Sequence, residues 1–189
     1  KINVPFAYQY EASGIGVYEK HETVWYRRTV NIDKAHQGKR ALLCFNGSDY
    51  ITDVWVNGKH ALYHVGGCAP FKADVTQYLT GGENVIVVRC VDYDDATQPR
   101  GKQSWAGHRF SCWYVPTTGI WQSVWVEFFG DDCADEFTLT PNIDNMTVAG
   151  EITTLRGKAD EAEMVVTYEG KQVKRAQSSP KNSTHTLCQ

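Results

Sequence analysis

The feature that most constrains this chain is its punctuation. Short alternating or β-branched runs are each closed by a turn signal, and no amphipathic helical stretch of ten or more residues occurs. Val24, Tyr26, Val30 and Ile32 share one face of a run whose other face carries Trp25, Arg27, Thr29 and Asn31, the pattern of a half-buried strand. Arg28 interrupts the apolar face and would need a carboxylate partner if buried. Arg40–Phe45 reads as a second strand, ended by the turn-forming Asn46-Gly47-Ser48-Asp49. Tyr50–Val56 and Lys59–Val65 flank Asn57-Gly58, which tolerates the positive φ angles of a two-residue type I′ hairpin. Asp74–Leu79, followed by Gly81-Gly82, predicts one helical turn capped by Asp74. Asn84–Val91 predicts a strand buried on both faces, and Gln122–Phe129 a further strand. Many short strands between turn signals imply an all-β sandwich or barrel.

A seam follows Phe129. The acidic stretch Gly130–Glu136 reads as a linker, after which alternation restarts in Phe137–Pro141, Met146–Leu155, Ala162–Tyr168 and Gln172–Ala176. Glu169-Gly170-Lys171 turns the last two into a hairpin, and Pro141 belongs on an edge or at a strand end. The polar tail Gln177–Gln189 predicts no strand. The expectation is one domain over residues 1–130 and a shorter one over 134–189, since an immunoglobulin-like sandwich takes about 100 residues.

Composition excludes several classes. A net charge of −3 with 22% charged residues suggests neither disorder nor a nucleic-acid footprint. No apolar run approaches the ~20 residues of a membrane helix. Lys1-Ile2-Asn3-Val4-Pro5 lacks the basic-then-apolar pattern of a secretory signal, which leaves a cytosolic chain or one whose targeting segment was removed, as in a periplasmic or secreted bacterial protein. The six cysteines form no C-x-x-C pair. Cys44 and Cys90, inside apolar runs, read as small buried hydrophobes, with a disulfide as the alternative. His60 and His64 lie on a strand, where a spacing of four makes no metal face. Asp92, Asp94 and Asp95 with Asp49 or Asp53 could hold a hard cation, but solvated loop carboxylates are the simpler reading. No metal or other cofactor is therefore expected. Signatures of nucleophilic or metal hydrolases and of phosphate-binding loops are missing, and no motif holds two carboxylates rigidly across a sugar. No catalytic residue is assigned.

One connection stands apart. Asp92–Thr118, rich in Asp, Gly, Gln, Pro and aromatics, is too long for a plain link, and such loops in compact domains are usually functional.

Several segments carry a resemblance when taken together: Val24-Trp25-Tyr26-Arg27-Arg28, Asp53–Gly58, His64–Phe71, Asp74–Leu79, Gly82-Glu83-Asn84-Val85 and Thr117–Trp125. In order and spacing, over about residues 1–129, they resemble the N-terminal sugar-binding domain of glycoside hydrolase family 2, which includes β-galactosidases, β-glucuronidases and β-mannosidases. Gln98–Ser104 is similar to a bacterial β-galactosidase-like branch. The resemblance implies a jelly-roll β-sandwich, then an immunoglobulin-like sandwich cut short here. A (β/α)₈ barrel holding the two catalytic glutamates is expected to lie outside these residues. The expected role is thus a non-catalytic N-terminal fragment of a retaining glycosidase acting on β-glycosides. It would support the barrel and lend loop contacts to the carbohydrate. Where galactosidases and glucuronidases of the family place a sugar-binding carboxylate before the Gly-Ile motif, this sequence has Trp113, flanked by Cys112 and Tyr114. An indole can donate a hydrogen bond or stack but cannot accept one. Gln122 likewise replaces an arginine usual in the family.

Trp113, Tyr114, Lys102, Arg100 and Gln103 are the expected substrate contacts, against the alternative of a domain-packing loop. Two other readings stay open: a free-standing carbohydrate-binding module using Trp105, Trp113 and Tyr114, and a β-sandwich without a ligand. Exposed aromatics and unpaired strand edges are expected to favour a homodimer of this chain.

Overall fold

Turn signals cut this sequence into short strands, and the longest pair of them sets the frame. In the computed structural model, which describes residues 1–130, 133–155, 161–178 and 184–188, contacts divide the chain into two units, Lys1–Phe128 and Phe129–Gln189. The first unit contains β1 (Thr23–Ile32), β2 (Arg40–Phe45), β3 (Ser48–Asp49), β4 (Ile51–Val56), β5 (Lys59–Val65), β6 (Phe71–Asp74), β7 (Gly82–Val91), β8 (Gly119–Ile120) and most of β9 (Val124–Phe129). One sheet runs β1-β7-β4-β5 and a second runs β6-β2-β9, with β3 and β8 forming a short pair. The chain is all-β, and this unit is a β-sandwich.

The sheets form where local pattern directs them. β1 pairs antiparallel with β7 from Thr23↔Val91 to Ile32↔Gly82. β4 and β5 close around Asn57 (φ 51°) and Gly58 (φ 76°), which are the two positive-φ positions of the expected hairpin turn. Asn57 does more than turn the chain. Its Nδ2 donates to the Tyr78 carbonyl (2.8 Å) and to Asn84 Oδ1 (2.7 Å), while its Oδ1 accepts from the Val85 amide (2.9 Å). The fully buried Asn84 in turn bonds the backbone at Thr80 and Gly82. The helical turn is a 3₁₀ turn at Thr76–Tyr78, and Asp74 Oδ1 accepts the Thr76 amide (3.1 Å).

Every residue of β2 is buried. Leu43, Phe45, Val54, Val56, Val75, Val88, Cys90 and Ile120 form the core between the sheets, and Phe45 stacks on Phe71 at 4.8 Å. Arg40, at one end of β2, is buried with its charge matched by Asp74 at 2.8 Å. Cys44 and Cys90 are buried free thiols, and burial pushes the Cys90 thiol up to about 11.

Two expectations for this unit need correction. Arg28 is exposed, so its cation stays in water and needs no buried partner. β7 is not buried on both faces: Asn84, Val88 and Cys90 are buried, whereas Val85, Val87 and Arg89 are only partly covered. β-branched residues suit a pleated, half-buried surface as well as a doubly buried one, which hides the difference in sequence.

The second unit contains β10 (Cys133–Asn142), β11 (Thr147–Leu155), β12 (Ala162–Tyr168), β13 (Lys171–Ser178) and β14 (Thr184–Cys188). Its sheets are β10-β11-β14 and β12-β13. Pro141 lies near the end of edge strand β10, opposite Val148, where its missing N–H breaks little of the ladder. The expected linker is partly strand, since β10 begins at Cys133; Asp131 and Asp132 lie outside the described residues. The tail also contains a strand, because β14 pairs with β11 from Ala149↔Cys188 to Thr153↔Thr184. Ladder pairing with an apolar partner strand overrides the weak propensity of Thr184–Cys188.

Candidate functional site

The connection from β7 to β8 folds over one end of the first sandwich, and what it covers is polar. Asp92 follows β7, only 2% exposed, with its amide donating to the Glu22 carbonyl at 2.8 Å. Thr118, fully buried, donates its hydroxyl to Asp92 Oδ2 at 2.9 Å. Lys20 Nζ stands 3.7 Å from Asp92 and 3.8 Å from Asp94, and Arg100 pairs with the same Asp94.

Asp49, at the end of β3 and 6% exposed, is the second buried acid. Its Oδ2 accepts from Gln103 Nε2 at 2.7 Å, while Gln103 Oε1 accepts from the Thr117 amide at 2.7 Å. One amide side chain thus ties the outgoing and returning halves of the loop to the sheet. Glycine is required beside it: a Cβ on Gly67 would lie 2.6 Å from Asp49 Oδ1. Burial raises the Asp49 carboxyl to about 6, with Asp92 adding to the rise and Gln103, Arg100 and Lys20 opposing it. Lys20 is lowered, chiefly by burial, with the neighbouring Asp92 acting the other way. Burial, rather than a single charge partner, is the larger cause at both groups.

Above this polar floor sits an aromatic lobe. Phe110 and Trp113 close a turn, the Trp113 amide donating to the Phe110 carbonyl at 2.8 Å with Ser111 at φ 49°. The Tyr114 amide donates to the Lys102 carbonyl (2.7 Å), and the Ser104 amide to the Tyr114 carbonyl (2.9 Å). Trp105 meets Trp113 edge-on at 4.7 Å and Phe110 at 5.4 Å. Trp105 and Tyr114 are both more than three-fifths exposed, whereas Trp113 is half-buried against its neighbours.

The five residues singled out from sequence therefore lie on one loop but in different settings. Trp113 and Tyr114 belong to the lobe, and Lys102 is exposed beside them. Arg100 is paired with Asp94, and Gln103 is engaged at both ends of its amide. Asp49, weighed from sequence only as a possible cation ligand, completes the floor with Thr118, Lys20 and the fully buried Gln9, which accepts from the Thr118 amide at 3.4 Å; the last three were not singled out from sequence. Their partners are far apart in sequence, 54 positions for Asp49 and Gln103, so no local spacing signals them. The remaining acids have other work: Asp53 binds His60 (2.8 Å) and Arg89 (2.7 Å), and Asp95 accepts from the Thr97 amide and hydroxyl (2.8 Å each). Among the described residues no group of three or more His, Cys, Asp or Glu could hold a metal ion. Chemically, the site offers aromatic faces for stacking and an exposed ammonium for hydrogen bonding, over two closed-off carboxylates that are held too deep to reach a substrate directly.

Comparison with known proteins gives this arrangement a context. Residues 2–126 match the family profile described as glycosyl hydrolases family 2, sugar binding domain. A β-galactosidase of Thermoanaerobacter pseudethanolicus is 29% identical over 138 residues, covering 71% of this chain and 18% of that protein. A β-galactosidase of Bacteroides ovatus is 30% identical over 166 residues, covering 82% of this chain and 18% of that protein. Among solved structures, a β-glucuronidase of Bifidobacterium dentium superposes with a TM-score of 0.75 at 20% identity, covering all of this chain and 36% of that one. A family 2 member from Bacteroides cellulosilyticus gives 0.67 at 21% identity over 88% of this chain and 23% of that one. The chain spans less than a fifth of the length of these two curated relatives.

Proposed function

This chain belongs to glycosyl hydrolase family 2 through its sugar-binding domain, and on that premise we propose that it is the N-terminal part of a retaining glycosidase acting on β-galactoside-like substrates. The catalytic carboxylates come from a barrel elsewhere in the parent polypeptide, and residues 134–189 form part of an immunoglobulin-like domain. The loop Asp92–Thr118 leans on the substrate, with Trp113 and Tyr114 stacking on a sugar face and Lys102 donating to hydroxyls. Arg100 and Gln103 hold the loop in place through Asp94 and Asp49, and reach substrate only by exchanging those bonds.

The observation that carries this reading is the aromatic lobe, built from Trp105, Phe110, Trp113 and Tyr114 on a floor of buried, mutually bonded polar groups. A rigid floor under exposed aromatics suits recognition of a ring with one apolar face and hydroxyl edges. In the full-length parent enzyme, Trp113→Ala is expected to lower kcat/KM about tenfold, the equivalent of ~1.4 kcal/mol. Trp113→Phe should recover most of it, and thermal stability should hold. Unchanged kinetics with a lowered Tm would instead make Trp113 a packing wedge. A β-glucuronidase-like parent is the second reading, favoured by the exposed cations Lys102 and Arg109 on the same loop, which would suit an acidic sugar. Paired assays of nitrophenyl β-galactoside and β-glucuronide on the parent enzyme separate the two.

A further inference from the structure

The outward face of the four-stranded sheet carries a row of side chains that the loop lobe does not use. Val24 and Tyr26, Val88 and Cys90, and Val54 and Leu62 pack on the core, so alternation sends Trp25, Arg89, Asp53 and Tyr63 to the other face. Register sets these four side by side across β1, β7, β4 and β5, through Trp25↔Arg89, Arg89↔Asp53 and Asp53↔Tyr63. At about 4.8 Å per strand the row spans about 14 Å, the reach of a few linked sugar rings.

Its aromatics are held in place yet open. Trp25 is 60% exposed and Tyr63 59%. The Trp25 ring stacks on Trp55 at 5.6 Å with 26° between the planes, and the Arg89 guanidinium stands 5.9 Å from its centroid. Arg89 donates to Asp53 Oδ2 at 2.7 Å, while His60 Nε2 lies 2.8 Å from Asp53 Oδ1 and the His60 ring meets Trp55 edge-on at 5.2 Å. Trp25 is thus braced by its neighbours without being covered by them.

The chemistry of the row selects its occupant. A protein surface docked here would have to strip water from the Arg89–Asp53–His60 cluster, and desolvating ions is costly. A sugar chain instead lays its C–H face on the indole and brings hydroxyls that take the place of that water. Charge narrows the choice. Among the described residues at outward positions of these four strands, the acids are Asp53 and Glu83. Asp53 is 6% exposed and already paired twice, and Glu83 lies six residues along β7 from Arg89, about 20 Å away. Arg27 is exposed two residues along β1 from Trp25, and His60, opposite Trp55, is 46% exposed. An acidic sugar on Trp25 therefore meets cations and no competing exposed carboxylate.

We infer that this sheet face is a further carbohydrate site, taking a chain of carboxylate-bearing (uronic-acid) sugars with one ring stacked on Trp25 and its acid groups set against Arg27 and His60. It does not depend on the loop contacts proposed above.

Affinity electrophoresis of the 189-residue chain through gels holding polygalacturonate or, separately, a neutral β-glucan tests it. The net charge of −3 gives the chain no general attraction to a polyanion. Polygalacturonate is expected to retard it with a dissociation constant at least about tenfold lower than the neutral chain gives. Trp25→Ala should weaken that retardation by about tenfold or more, Trp25→Tyr should keep most of it, and Arg27→Gln should weaken it while leaving the urea midpoint in place. No retardation by polygalacturonate overturns the inference, as does equal or stronger retardation by the neutral glucan. It also falls if Trp25→Ala and Trp25→Tyr both run as the unaltered chain does, or if binding is lost on Trp105→Ala instead. A dimer in sedimentation that Trp25→Ala dissolves would make the face a contact between copies and overturn it as well.

Discussion

Replacing Asp49 by asparagine isolates the electrostatic cost of the floor beneath the loop. The carboxyl is 6% exposed and its pKa rises from 3.8 to about 6. A carboxyl with a raised folded-state pKa binds its proton more tightly in the folded than in the unfolded chain. Its ionised form therefore opposes folding above about pH 6, and that penalty disappears as pH falls below about 4. A rise of about two pKa units corresponds to about 3 kcal/mol at pH 7. The substituted asparagine keeps an oxygen able to accept from Gln103 Nε2 and never ionises. Any packing or hydrogen-bond defect of Asp49→Asn appears equally at every pH and cancels in a difference. The stability change caused by Asp49→Asn should thus be more favourable at pH 7 than at pH 4 by about 2.5 kcal/mol, since a small part of the penalty persists at pH 4. Urea unfolding followed by tryptophan fluorescence, at fixed ionic strength from about pH 4 to 8, measures it. All six tryptophans lie between Trp25 and Trp125, so the signal reports the first unit alone. Parallel pH profiles for the two proteins would refute the argument and mean that Asp49 is solvated or fully compensated by Lys20 and Arg100.

Other outcomes follow from particular contacts. Phe45→Ala empties a fully buried site stacked on Phe71 and should cost about 3–5 kcal/mol in urea unfolding. Gly67→Ala places a methyl group 2.6 Å from Asp49 Oδ1 and should cost ~1–3 kcal/mol; combining it with Asp49→Ala should recover part of that loss in a double-mutant cycle. Asn57→Gly keeps the positive φ of the hairpin turn but removes three side-chain hydrogen bonds. A lowered Tm, equivalent to ~1–2 kcal/mol, would assign Asn57 to the network rather than to the turn alone. For sugar recognition, calorimetry of the 189-residue chain with galactose and glucuronate should show weak or no heat, since the proposed site is completed by the rest of the parent; micromolar binding would favour a free-standing carbohydrate module.

What the amino-acid sequence determined by itself was local and periodic. Two-residue alternation placed β1, because a strand's faces are set by neighbouring residues. Asn57-Gly58 placed the hairpin, because only certain residues accept positive φ. The ordered motifs from Val24 to Trp125 carried the family. Tertiary structure decided everything that depended on residues meeting across the fold. β7 reads as doubly buried until its outer face, with Val85, Val87 and Arg89, is seen half-covered. Asp49 reads as a turn former until Gln103 reaches it from 54 positions away and burial raises its carboxyl to about 6. Gln103, on sequence a candidate to touch substrate, has its amide committed to holding the loop. Periodicity is encoded within a few residues, whereas burial and charge pairing depend on what the rest of the polypeptide brings into contact.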